Sequence, residues 1–145
     1  MSRSTSEMRD FAERLVAYET KGKKSAAAKL PVAFHICEKL RPHLATLMGS
    51  TGFGALLSRA LALAVKEVPQ LSVVQVHVDG TFSGVDAPKA QGNAEKLAEG
   101  GVVLLARLLG LLEAFIGGAL TLRLLHDVWP KLTLSALYFS KEDQK

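Results

Sequence analysis

The run Val102–Leu125 constrains this chain more than any other stretch, because it is apolar except for Arg107, Glu113, Thr121 and Arg123. A helix over this run is apolar around most of its circumference, so the rest of the chain must be arranged to cover it. Along it Ala106, Gly110, Ala114 and Gly118 recur every fourth residue. That spacing stacks small side chains on one helix face and predicts a groove for close helix contact. The groove is open to two occupants, a helix of the same chain or a helix of a second copy.

The run is long enough to cross a membrane. Its Val, Leu, Ile and Phe residues favour insertion by about 0.3–0.6 kcal/mol each, and Glu113 near the middle opposes it by about 3 kcal/mol. Context decides against a span. Arg107 and Glu113 lie inside the run, Gly110, Gly117 and Gly118 interrupt it, and amphipathic helices precede it that need a core to pack on. A buried central helix is the expectation, running over about 94–128 and bent or broken where glycines pair.

Helical periodicity recurs upstream. Met8, Phe11, Leu15 and Tyr18 predict a first helix over Thr5–Glu19. Pro31 suits the first turn of a second helix, whose stripe is Phe34, Cys37, Leu40, Leu44 and Leu47. Pro42 falls inside it and is expected to kink or break it near Arg41. Ser50 is placed to cap a third helix carrying Phe53, Leu57, Ala60, Leu61 and Ala64. The pattern then changes to β-branched alternation over Leu71–Val78, followed by Asp79-Gly80 and Thr81–Val85. Asp-Gly between two such runs predicts a β-hairpin over about 72–85. A lone ribbon is marginal in water, so it must lie on the helices, gain a third strand or pair with another subunit. Residues 132–139 alternate and are read as that third strand, with a short final helix as the other option.

The fold expected is mainly α: four to five helices around the long apolar one, with the hairpin added. At 145 residues the chain fits one domain, 1–145. Residues 20–30 read as a mobile basic linker and 141–145 as a disordered tail. A single cysteine excludes an internal disulfide framework, and a polar N-terminal segment shows no secretory signal, so a cytoplasmic location is expected.

Candidate chemistry is sparse. The four histidines do not form a metal-ligand pattern, and Cys37 lies on an apolar stripe without a base beside it. Gly49–Gly54 leads into a helix N-terminus but lacks the lysine of a P-loop and the strand of a dinucleotide fingerprint. It is read as capping and close packing. Glu113 is read first as part of an exposed stripe with Lys96, Glu99, Arg107 and Thr121, next as half of a buried pair, and last as a functional acid. Of the net charge of +4, much sits in Lys21, Lys23, Lys24 and Lys29. These are solvated linker residues or, less favourably, contacts for an anionic membrane or nucleic acid. No nucleic-acid-reading motif accompanies them.

The functional expectation is accordingly non-enzymatic. No catalytic, cofactor or metal site is assigned. The chain reads as an interaction or regulatory module that self-associates, most simply as a homodimer, or binds a protein partner. Nucleic-acid and membrane association are disfavoured. The alternative is a small-molecule-binding domain, with Arg107, Glu113 and His126 reaching into an apolar pocket.

Overall fold

The computed structural model describes residues 5–22, 32–84 and 94–129. Within them lie five helices and one hairpin: α1 (Thr5–Gly22), α2 (Val32–Met48), α3 (Ser50–Glu67), a 3₁₀ turn (Pro69–Val73), β1 (Gln75–Val76), β2 (Phe82–Ser83), α4 (Ala94–Ile116) and α5 (Gly118–Val128). The expected third strand at 132–139, the tail at 141–145, and Lys23, Lys24 and Lys29 lie outside the described residues. Lys21 belongs to the last turn of α1, which extends three residues past the predicted Glu19.

Helix α4 is the centre of the fold and touches all four other helices. Its Leu104, Leu105, Leu108 and Leu109 are fully buried. Each such side chain contributes about 1.5–3 kcal/mol through removal from water. Covering comes from α1 through Met8, Phe11 and Leu15, from α2 through Phe34, Leu40 and Leu44, and from α3 through Phe53, Leu57 and Ala64, all of them buried. The middle of the apolar run is therefore enclosed by its own chain.

The long apolar helix expected over 94–128 is present as two helices joined by one residue. Gly117 adopts φ 90 and ψ 157. Its amide donates to the Glu113 carbonyl at 2.9 Å and its carbonyl accepts from Thr121 at 3.1 Å, so one residue ends α4 and begins α5. Gly49 does the same between α2 and α3 with φ 82 and ψ 152. That region of backbone space is essentially closed to residues with a Cβ. Gly49, rather than the expected Ser50, thus occupies the capping position of α3.

Two possible breaks do not occur. Pro42 does not break α2, which is continuous from Val32 to Met48. The proline withholds one helical hydrogen bond at a cost of about 3 kcal/mol, and burial of Leu40 and Leu44 on either side offsets it. Gly100-Gly101 does not interrupt α4 either. A Cβ at Gly100 would stand 2.6 Å from Leu71 Cγ, and one at Gly101 would stand 3.0 Å from Ala33 and Phe34. These glycines serve close packing of the first turns of α4 against the 3₁₀ turn and α2.

The hairpin is shorter than predicted, because Pro69 starts a 3₁₀ turn that consumes the chain as far as Val73. Gln75 pairs with Ser83 and Val76 with Phe82. The His77 amide donates to the Thr81 carbonyl and the Gly80 amide to the His77 carbonyl, both at 2.8 Å. This closes a three-residue loop with Gly80 at positive φ. The Thr81 hydroxyl and amide both donate to Asp79 Oδ1, at 2.7 and 3.1 Å, and hold that exposed carboxylate below its ordinary range. The ribbon gains its stability from the helices. Phe82 meets Phe34 edge to face with ring centres 5.1 Å apart, and the backbone at Val78 lies directly on Gly54 of α3.

Candidate functional site

The small-residue stripe is divided among three environments. Ala106 is buried in the core. Gly110 is partly buried beneath α1, where a Cβ would meet only Met8 Cγ at 3.9 Å. Ala114 is exposed near the end of α4, and Gly118 lies past the break, on α5. The tightest approaches to α4 are at Gly100 and Gly101 instead. Alanine at 110 fits the space and restricts the unfolded chain. Gly110→Ala should therefore stabilise the protein by about 0.5–1 kcal/mol and raise its melting temperature by a few degrees, readable by thermal circular dichroism.

The polar residues of the run do not share one exposed stripe. Glu113 is only 8 % exposed and Thr121 is fully buried, its hydroxyl donating to the Gly117 carbonyl at 2.8 Å. Lys96 and Glu99 are exposed, and Arg107 is half-buried. Arg107 is anchored at the other end of α3. Its Nε and Nη2 both donate to Glu67 Oε2, the former at 2.9 Å, tying the last turn of α3 to the middle of α4. Both side chains remain about one-third exposed, so the pair is worth at most about 1 kcal/mol. His126 is exposed on α5 and does not face inwards. Arg107, Glu113 and His126 thus stand in three different surroundings.

Nucleophilic and metal chemistry find no centre among the described residues. Burial pushes the Cys37 thiol up to about 12, and the charge of neighbouring Glu38 adds to the shift. A thiol held protonated at neutral pH is a poor nucleophile. Cys37 should fail to react with a disulfide-exchange reagent such as DTNB in the folded protein at pH 8, and react with one equivalent after unfolding in guanidinium. Rapid labelling of the native protein would contradict its enclosure. No group of three or more His, Cys, Asp or Glu is placed to hold a metal ion among the described residues. No helix there is long and apolar enough to cross a membrane.

What the fold does expose is an apolar corner where α4 meets α5. Phe115, in the last turn of α4, is 67 % exposed, and Leu120, in the first turn of α5, is 37 % exposed. Ala114, Gly117 and Ala119 between and beside them are exposed as well. A single residue, Gly117, separates the two helix ends. Farther along the outer face of α5 the residues become polar, with Arg123, His126 and Asp127 all exposed. The other end of α5 is fastened to the body by Trp129, which is buried and has the Lys39 ammonium of α2 5.9 Å above its ring.

Sequence periodicity pointed away from this corner. Leu104, Leu108 and Phe115 fall on one helix face, spaced by four and seven residues, and the first two are core. Periodicity reports which face turns inward. It does not report how far the covering helices extend, and Ala114 and Phe115 in the last turn are exposed. The signal that was available is Gly117-Gly118, which ends α4 just beyond Phe115. Comparison of the chain with models of known protein families, with curated proteins and with solved structures finds no match.

Proposed function

We propose that this chain is a non-enzymatic interaction module whose contact surface is the α4–α5 corner. The observation that supports this reading is the exposure of Phe115, an aromatic side chain, within a stretch of sequence where Ala114, Ala119 and Leu120 are exposed too. The other large apolar residues exposed among the described ones are Leu47 at the end of α2 and Val78 at the hairpin loop. Single exposed apolar residues are ordinary on protein surfaces, whereas grouped ones mark contact sites. Aromatic residues centred in such a group supply much of the binding energy of protein interfaces. The corner also sits on the central helix of the fold, so whatever binds there is fixed relative to the whole core.

The test is the binding of an apolar fluorescent dye, ANS, to the wild-type chain and to Phe115→Asp. The variant is expected to lose about half of the dye fluorescence while its far-ultraviolet circular dichroism is unchanged, because a residue already in water contributes little to folding. Equal dye binding by the two proteins would show that the corner is not an accessible apolar surface, and the reading would fall.

A further inference from the structure

We propose that the Asp79–Gly80 bond is a site of spontaneous rearrangement to isoaspartate, closed while the hairpin lies on α3 and open when the hairpin lifts. Asp79-Gly80 is the chain's one Asp-Gly step, and no Asn-Gly step occurs. The reaction needs neither enzyme nor cofactor. The Gly80 amide nitrogen loses its proton and attacks Asp79 Cγ. The new N–Cγ bond replaces a Cγ–O bond, and that oxygen leaves as water. Water then opens the five-membered ring. Cleavage between the nitrogen and Cγ restores aspartate. Cleavage between the nitrogen and the main-chain carbonyl carbon leaves the chain running through Cβ and Cγ. Glycine favours the attack because no side chain crowds its nitrogen. Asp79 is exposed, so water reaches it.

In the folded chain both reacting groups are engaged. The Gly80 amide donates to the His77 carbonyl at 2.8 Å, and its proton must leave before the nitrogen can attack. Asp79 Oδ1 accepts from the Thr81 hydroxyl at 2.7 Å and from the Thr81 amide at 3.1 Å. These two donors keep the carboxylate charged, the Arg41 cation acts in the same sense, and a charged oxygen leaves poorly. Gly80 is itself buried against Phe53, where a Cβ would stand 2.5 Å from the ring. Its peptide therefore cannot swing to meet Asp79 Cγ while the loop is docked. Local opening of the hairpin releases all of these restraints together. The rearranged chain carries one extra backbone carbon between Asp79 Cα and the Gly80 nitrogen. A three-residue loop has no slack to absorb it, so the close contact of Val78 with Gly54 is not regained. The rearrangement acts as a one-way release of the hairpin from α3.

The experiment holds the full chain at near-neutral pH and body temperature for several weeks. Isoaspartate is then measured in the peptide containing Asp79-Gly80 by electron-transfer fragmentation. The chain unfolded in guanidinium should convert at least about tenfold faster than the native one. Thr81→Val removes the hydroxyl donor, keeps the side-chain shape and should convert about threefold faster than wild type. Gly54→Ala leaves residues 77–81 unaltered and should convert at least about threefold faster, because it lifts the hairpin. Asp79→Glu should give no signal, since its larger ring closes far more slowly. Across these proteins conversion should rise in step with exchange of the Gly80 amide, and a variant that unfolds outright still falls on that relation. In aged wild type, the isoaspartate form of the peptide should carry faster amide exchange than the aspartate form. Equal conversion of the native and unfolded chains overturns the proposal, and so does a wild-type rate in Thr81→Val or in Gly54→Ala. Native-like exchange in the isoaspartate form overturns the one-way release.

Discussion

Phe34→Ala should destabilise the protein by about 3–5 kcal/mol, the range for removing a buried aromatic ring. Phe34 is fully buried at the meeting of α2, α4 and the hairpin. Its ring lies under Gly101 of α4 and receives Phe82 of β2 edge to face. Truncation therefore empties space against three elements and removes an aromatic pair worth about 0.5–1.5 kcal/mol in addition to its area. For a chain of this length the melting temperature should fall by roughly 10–15 °C. A domain whose total stability is about 5–15 kcal/mol would lose a large share of it. Chemical denaturation should show a lower midpoint with an unchanged slope. A loss below about 1 kcal/mol would show that Phe34 is not the joint that its burial implies.

The second large effect is expected at Gly54. A methyl group there would stand far inside van der Waals contact with the Val78 carbonyl oxygen, which is backbone and has no rotamer to retreat into. Gly54→Ala must push the hairpin away from α3, at a cost of about 2–3 kcal/mol for overpacking a close contact. The damage should be local first. Amide exchange at His77 and Gly80, whose hydrogen bonds close the loop, should quicken far more than exchange in α4. Combining it with Phe82→Ala should give less than the sum of the two losses, since both variants release the same ribbon. Full additivity, or unchanged protection of the loop amides, would mean that the ribbon is held by something other than this contact and Phe34.

How much of this was legible in the chain depends on which physical rule dominates at each place. Helix α3 was readable because Phe53, Leu57, Ala60 and Ala64 repeat at helical spacing and all are buried. The hairpin was readable from Asp79-Gly80, but its length was not, because Pro69 and the tertiary contacts of Leu71 draw the preceding residues into a 3₁₀ turn. Neither Pro42 nor Gly100-Gly101 breaks its helix, and for one reason. Local propensity names them as breakers, and burial of their neighbours overrides propensity. Gly117-Gly118 has the same local signature and does break the helix, because Gly117 adopts a conformation that only glycine reaches easily. Glu113 was read first as exposed and is buried. Its position on the helix was known, but α5 was expected only as a continuation of α4. The corner at Phe115 was hidden by the same periodicity that located the core.

The position of α4 in the chain has a consequence for biosynthesis. The helix that touches all the others is made after α1, α2 and α3. At roughly 5–20 residues per second, translation spends several seconds between the end of α2 and the end of α4. Throughout that interval Phe11, Phe34, Leu40 and Leu57 have no central helix to bury them. The nascent chain must be protected by early helix–helix collapse or by chaperones, and a transcript truncated before about residue 112 should yield an aggregation-prone product rather than a smaller folded one.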